Sequence, residues 1–147
     1  MFMSGSLECS LINSLSDRAV HIHDRLYLGG SHNIRGFQWN SIGPRVDSSA
    51  LGGAASYAAI LHIYRPLVPA DMLFAHMFIA NGSIASIRSK DRFNDMINAQ
   101  RITAGLGLVF VFRNLIRFEM NYCIPCRYVP GDFCSPGLYF GAGINFL

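Results

Sequence analysis

The sequence predicts an all-β protein, an antiparallel transmembrane β-barrel segment of about six strands. Three observations predict it. Apolar residues make up 51% of the 147 positions and charged residues only 14%, yet no run reaches the roughly 18 apolar residues that a membrane helix needs. The apolar residues instead come in short packets, the longest clean one being Ala104 to Phe112, which suits barrel strands of about 9–11 residues with alternating faces and also a buried soluble β-sheet. The connections between packets also alternate in length, as they do where long loops gather at one end of a barrel and tight turns at the other.

Residues 1–19 show no trusted periodicity and read as an unassigned N-terminal tail, with the barrel domain spanning residues 20–147. The first 24 residues lack both the basic start and the clean apolar stretch of a signal peptide, and they are not Arg-rich like a transit peptide. Val20 to Leu28 (VHIHDRLYL) alternates well enough for a strand, with His21 and His23 on one face. Two histidines do not make a metal site; lumen-facing or solvated side chains is the plainer reading. Residues 29–53 form a long loop.

Ala54 to Arg65 and Leu73 to Ala80 each fit helix or strand locally. As a strand the former puts Tyr57, Ala59, Leu61 and Ile63 on one face, and Ser56, Ala58, Ile60, His62 and Tyr64 on the other. Pro66 and Pro69 break the chain after it. Asp71 and Asn81-Gly82 would cap and end a helix in the second segment.

Residues 82–100 are polar and charged, and read as an exposed loop. Arg101 to Arg113 is a strand whose face Ile102, Ala104, Leu106, Leu108, Phe110 and Phe112 is wholly apolar, while Thr103, Gly105 and Gly107 begin the other. Asn114 marks a tight turn. Leu115 to Ile124 has the cleanest period of two: Ile116, Phe118, Met120, Tyr122 and Ile124 against Arg117, Glu119 and Asn121. A Gly/Pro/Cys loop follows over residues 125–137. Leu138 to Leu147 is the last strand, with Phe140, Ala142, Ile144 and Phe146 opposite Gly141, Gly143 and Asn145. A polar face beside an apolar one is what a wall between water and hydrocarbon requires, and its backbone must be paired all round because lipid offers no hydrogen bonds.

Several functions are disfavoured. The net charge of +3 is mild and scattered, so no nucleic-acid stripe exists. No paired carboxylates, nucleophile–base pair or phosphate loop supports an enzyme. Cys123-Ile-Pro-Cys126 has the spacing of a thioredoxin-like site, but that chemistry needs a βαβ context and here the motif ends a strand. With Cys134 and a His it lacks a fourth zinc ligand at proper spacing. Four cysteines in all are too few for a secreted disulfide scaffold.

The segment Ile34-Arg35-Gly36-Phe37 is unusual. It sets one guanidinium among apolar neighbours inside a Gly/Ser/Asn-rich loop, with Gly36 freeing the backbone and Phe37 as an apolar anchor. On these residues alone an ordinary loop with a solvated Arg is the plainer reading.

Asp24-Arg-Leu-Tyr-Leu-Gly-Gly30, Ile34-Arg-Gly-Phe37, Ser41-Ile-Gly-Pro-Arg45, Leu51-Gly-Gly53, Leu61-His-Ile-Tyr-Arg-Pro-Leu67, Glu119-Met-Asn-Tyr-Cys123 and Phe140-Gly-Ala-Gly-Ile-Asn-Phe-Leu147 occur in order along the chain. Together they resemble the C-terminal part of the core barrel subunits of the mitochondrial sorting and assembly machinery. These belong to the outer-membrane-protein-85 (bacterial surface antigen) superfamily, and the resemblance covers about residues 20–147.

The resemblance implies strands for the two ambiguous segments, and a place as the C-terminal portion of a larger sixteen-stranded barrel. It implies an integral protein of the mitochondrial outer membrane that inserts and folds precursor β-barrel proteins, with no cofactor. Its implied partners are those precursors, the other sorting-and-assembly subunits and the lipid bilayer, not nucleic acid. The long loops would face the cytosol, and the short turns and C-terminus the intermembrane space. Ile34, Arg35, Gly36 and Phe37 match a loop motif that folds back against the inner wall. Phe140, Gly141, Ala142, Gly143, Ile144, Asn145, Phe146 and Leu147 match the last, gate-forming strand.

Glu119 is the only carboxylate within the expected strands after the loop, which nominates it as the partner of Arg35; Arg117 on the same face competes for it. Gly141 and Gly143 would weaken the last strand's pairing, or merely fit a crowded lumen. Six strands leave two unpaired edges, and the family's soluble POTRA domain and first barrel strand have no counterpart here. The chain is therefore not expected to assemble barrels alone. The alternative is a truncated or partial-duplicate barrel fragment with a structural or interaction role.

Overall fold

The computed structural model describes residues 1–14, 20–31, 33–68, 72–113 and 115–144. Six long strands form one antiparallel sheet: β1 (Phe2–Leu11), β4 (Ala55–Pro66), β5 (Leu73–Ala85), β6 (Arg101–Phe112), β7 (Ile116–Arg127) and β8 (Gly137–Ile144). Their order across the sheet is β1-β4-β5-β6-β7-β8. Between β1 and β4 lie a short 3-10 turn (Ile22–Asp24) and a two-residue hairpin, β2 (Arg45–Val46) with β3 (Ser49–Ala50). The single helix among the described residues, α1 (Arg92–Asn98), lies between β5 and β6. Among the described residues β1 and β8 are the two edges and the sheet is open.

Both ambiguous segments are strands, paired with each other from Ala55↔Ala85 to Pro66↔Phe74. The period of two sorts every strand onto two faces. One face is apolar and bare: Met77, Ile79, Leu106, Phe118, Tyr122 and Phe140 are each exposed. An apolar patch of that size on a folded chain marks a surface meant for something other than water. The other face is covered by the β1–β4 connection.

Residues 1–19 are not simply a tail. Phe2–Leu11 is an edge strand in full register with β4, from Phe2↔Tyr64 to Leu11↔Ala55. The signal was present in the sequence: Met3, Gly5, Leu7, Cys9 and Leu11 alternate with Ser4, Ser6, Glu8 and Ser10. Residues 15–19 of that stretch, like Pro69, Asp71 and Asn114, lie outside the described residues.

The strand expected over residues 20–28 does not form. With β1 on the β4 edge, this segment has no sheet partner and turns instead. Its hydrogen bonds are local or to the loop: Arg25 Nε and Nη1 donate to Val20 O (3.1 Å) and Leu51 O (2.9 Å), and isolated bridges join Leu26↔Gly53 and Leu28↔Ile42. His21 and His23 stack, ring centroids 5.2 Å apart.

The expected loop over residues 82–100 is shorter than its polarity suggested. β5 continues to Ala85 because Gly82, Ser83, Ile84 and Ala85 are buried under the inner loop or beside α1. Likewise β7 runs on to Arg127. Its register shifts between Ile102↔Arg127 and Thr103↔Pro125, since Pro125 has no N–H for the ladder and a bulge accommodates it. The long connections still fall at one end of the sheet, and those of residues 67–72 and 113–115 at the other.

Candidate functional site

The loop between β1 and β4 folds onto the sheet through its apolar side chains. Leu28, Ile34, Phe37 and Ile42 form one buried cluster with Ala58, Ala80 and Ile84 of the wall. Ile34 and Phe37 are fully buried. The wall is shaped to receive them. A Cβ on Gly82 would collide with Ile34, so a glycine there is the seat for that side chain.

Gly36 has φ +90°, a conformation strained for any side chain, and a Cβ there would sit 2.9 Å from Thr103 Cγ2 on β6. The backbone of the Ile-Arg-Gly-Phe segment therefore touches the wall directly.

The second long connection, residues 128–136, clamps the first from above. Phe37 bridges Cys134, Ser135 N–H donates to Gly36 O (2.9 Å), and Gln38 N–H donates to Phe133 O (3.0 Å). The clamp is locked by an ion pair absent from the sequence-based expectations. Arg101 Nε and Nη2 donate to the two oxygens of Asp132 at 2.8 and 3.1 Å. Both side chains are almost wholly buried, 4% and 2% exposed. Asp132 also accepts from Val129 N–H (3.0 Å) and Gly43 N–H (3.4 Å), so one carboxylate joins β6 to both loops. The available signal was Asp132 as the lone carboxylate of its loop and Arg101 as a cation opening an apolar strand.

Arg35 reaches the wall at Glu119. Its Nη2 donates to Glu119 Oε2 at 3.0 Å, its Nε donates to Ser31 O at 3.2 Å, and its guanidinium lies 5.1 Å from the Phe78 ring centroid. Arg117 competes as anticipated, with its Nε 2.7 Å from Glu119 Oε1. It also donates through Nη2 to Tyr64 OH (2.9 Å). One carboxylate thus sits between two guanidiniums.

The network continues along the wall: Asn121 Nδ2 donates to Glu119 Oε2 (3.2 Å), and Asn121 Oδ1 lies 2.6 Å from His76 Nε2. Gly107 leaves the space that this His76–Asn121 pair fills. Beyond it His62, Tyr64, His76 and Phe78 form a ladder of rings with centroids 5.2–5.9 Å apart.

Phe140, Gly141, Ala142 and Gly143 fall on β8, paired with β7 from Ile116↔Ile144 to Cys123↔Gly137. A Cβ at Gly143 would meet nothing within 4 Å among the described residues and one at Gly141 only Glu119 Cβ at 3.7 Å. The two glycines border a polar cleft of about 390 Å³ with Arg35, Arg117, Glu119 and Tyr139. Asn145, Phe146 and Leu147 lie outside the described residues. All four cysteines are free thiols, Cys123 buried on the loop-covered face and Cys126 exposed. Their Cys-Ile-Pro-Cys motif lies within β7 and does not open a helix.

An open antiparallel sheet, bare and apolar on one face and plugged by its own loop on the other, defines a segment of barrel wall. Known proteins agree. The fold matches the crystal structure of BamA from Haemophilus ducreyi lacking POTRA domains 1–3 with a TM-score of 0.80, over 97% of this chain and 31% of that one, at 16% identity. Residues 2–146 match the Omp85 superfamily domain, and the chain belongs to that superfamily. It is 36% identical to sorting and assembly machinery component 50 homolog B of Xenopus laevis, over 99% of this chain and 33% of that protein. The human sorting and assembly machinery component 50 homolog is 35% identical over 98% and 33%. The chain spans about a third of the length of these relatives. The match from residue 2 also moves the domain boundary from residue 20 to the start of β1.

Proposed function

We propose that the chain acts as the C-terminal wall of a mitochondrial outer-membrane barrel that inserts and folds precursor β-barrel proteins, without a cofactor and without catalytic chemistry. The observation that carries the reading is the inward loop: a passive pore has no need of a long segment seated by Ile34 and Phe37 and tied to the wall by Arg35 and Glu119. The bare apolar face would meet lipid, with the precursor and the other sorting-and-assembly subunits as partners. In this reading β8 is the strand that yields laterally. Its inward Gly141 and Gly143 give it little side-chain packing.

The test uses mitochondria carrying the chain, with a photo-crosslinker at Tyr139 and a radiolabelled barrel precursor arrested during import. A carbonate-resistant chain that crosslinks to the precursor is the expected result. A carbonate-soluble chain with no crosslink overturns the proposal.

A second reading is favoured by the open edges of β1 and β8: the chain completes or binds a larger barrel without assembling others. A carbonate-resistant chain that crosslinks only to resident barrel subunits would select it.

A further inference from the structure

The segment between β5 and β6 is not absorbed by the inner network. Within α1, Phe93 and Ile97 lie one turn apart and are 76% and 49% exposed, while Met96 is half-buried. Polar side chains occupy the rest of the surface, with Asn98 Nδ2 bonded to Asn94 Oδ1 at 3.3 Å. Just before the helix Arg88 and Lys90 are exposed, and Arg92 opens it. Against Asp91 and Asp95 these leave an excess of positive charge, and Asp95 is already engaged by Ser89 Oγ.

The position of the helix is as informative as its composition. Its C-terminal end is pinned to the rim, where Ala99 O accepts from Ser83 Oγ (2.9 Å) and Arg101 Nη1 (2.6 Å). Its other side borders a cleft of about 320 Å³ that Arg92, Phe93 and Met96 share with Cys9, Leu11 and Tyr57. By register Cys9, Leu11 and Tyr57 belong to the bare apolar face of β1 and β4. The helix is therefore continuous with that face and not with the plugged one.

A barrel wall is bounded by aromatic residues at both levels where lipid meets water. At the short-turn end this sheet has Phe110, Phe112 and Phe118 on the apolar face. At the long-loop end the outward positions of β4, β5 and β6 are Ala55, Tyr57, Ser83, Ala85 and Ile102, with one aromatic among them. Phe93 stands at that level, presented from the helix.

We infer that residues 86–98 are an interfacial anchor, which seats Phe93 and Ile97 at the headgroup–acyl boundary and sets Arg88, Lys90 and Arg92 against anionic lipid headgroups. The inference rests on the reading of the bare sheet face as lipid-facing. A short helix with an apolar side and basic flanks lies in the interface plane by the same physics that drives longer amphipathic helices. Each basic side chain near such a surface is worth about 1 kcal/mol of attraction, or roughly five-fold in local anionic lipid.

The experiment places the full chain in phosphatidylcholine–phosphatidylglycerol vesicles and reads tryptophan emission in a Trp39→Phe background. Two reporters are compared: Phe93→Trp in the helix, and Leu106→Trp in the middle of the β6 apolar face. Lipid brominated near the headgroup should remove most of the Phe93→Trp emission, and lipid brominated near the chain end most of the Leu106→Trp emission. Brominated phosphatidylglycerol should quench Phe93→Trp more strongly than the same fraction of brominated phosphatidylcholine. Arg88→Gln/Lys90→Gln/Arg92→Gln should abolish that preference while leaving shallow quenching intact.

A Phe93→Trp reporter open to aqueous iodide and blind to bromine, beside a normally quenched Leu106→Trp, overturns the anchor and leaves the lipid-facing sheet standing. Equal quenching by the two brominated lipids overturns the anionic preference. Loss of quenching at both reporters overturns the lipid-facing sheet, and the anchor with it.

Discussion

Two ion pairs hold the long loops against the sheet, and they are built differently. Arg101–Asp132 is bidentate, almost wholly buried and reinforced by two backbone N–H groups. Arg35–Glu119 uses one N–H, is 17% and 15% exposed, and shares its carboxylate with Arg117. The first is a staple: nothing else among the described residues stands ready to take either charge. The second is exchangeable, because Arg117 remains on Glu119 if Arg35 leaves. A loop that must shift would release at Arg35 while residues 128–136 stay docked.

The largest effect is therefore expected at the staple. Asp132→Ala leaves Arg101 buried without its partner, a change that costs about 3–5 kcal/mol in comparable pairs. Protease should then cut residues 128–136, and the heat-modified band on a denaturing gel should move to lower temperature. If Asp132→Ala and Glu119→Ala destabilise equally, the distinction between staple and exchangeable contact is wrong.

Next in size is Gly36→Ala. The residue sits at φ +90° with Thr103 Cγ2 2.9 Å from the new Cβ, a combination of backbone strain and overlap worth about 2–3 kcal/mol. Pairing it with Thr103→Ser removes the overlapping methyl and should recover part of the loss; proteolysis of residues 29–53 reads both. Full recovery would assign the whole cost to the overlap and none to the backbone.

Smaller again is Glu119→Gln, which keeps the shape and removes the shared charge. The guanidiniums keep their charge but lose the carboxylate opposite them, so ion pairs become weaker charge–amide hydrogen bonds, for about 1.5–2 kcal/mol. Arg117→Ala should cost less, about 1 kcal/mol, because Arg117 is the more exposed of the two guanidiniums and Arg35 remains on Glu119. A cost at Arg117 equal to that at Glu119 would mean that Arg117, not Arg35, is the principal partner.

Much of this comparison was legible in the sequence, and the remainder was hidden for physical reasons. The β7 and β8 strands were readable because apolar positions alternate with polar or glycine ones, and β6 because one of its faces is wholly apolar. The Arg35–Glu119 contact was reachable because the strands expected after the loop hold a single carboxylate, which leaves few choices for a guanidinium. The β1 strand was missed although Met3 to Leu11 alternate: its inward positions are serines and a glutamate, a pattern that a polar tail also shows. Val20 to Leu28 alternates too, and no local feature reveals that β1 already occupies the edge it would need. Arg101–Asp132 went unread because one residue opens β6 and the other lies in the loop after β7, and only the folded arrangement brings them within 3 Å. The seats at Gly82 and Gly107 were hidden for the same reason, since a glycine does not say which side chain will fill its space.

The smallest effect offers the sharpest readout of the staple. Cys134 lies in the clamping loop, and burial raises its thiol pKa above the ordinary value, with the Asp132 carboxylate adding in the same direction. Alkylation consumes the thiolate, so at pH 8 Cys134 should react with iodoacetamide more slowly in the docked loop than in the urea-unfolded chain. Because the docked loop favours the neutral thiol, its docking is fully supported below the ordinary thiol pKa and weakens as pH rises through the raised value. Asp132→Asn removes the nearby negative charge and, by loosening Arg101, also exposes the thiol; both changes speed alkylation. Glu119→Gln does neither, and should leave the Cys134 rate unchanged even though the Arg35 contact is weakened. Mass spectrometry of the alkylated Cys134 peptide reads the rate in each variant. A Cys134 rate that rises equally in Asp132→Asn and Glu119→Gln would show that the two loops dock as one unit, and the two ion pairs would then be parts of a single latch.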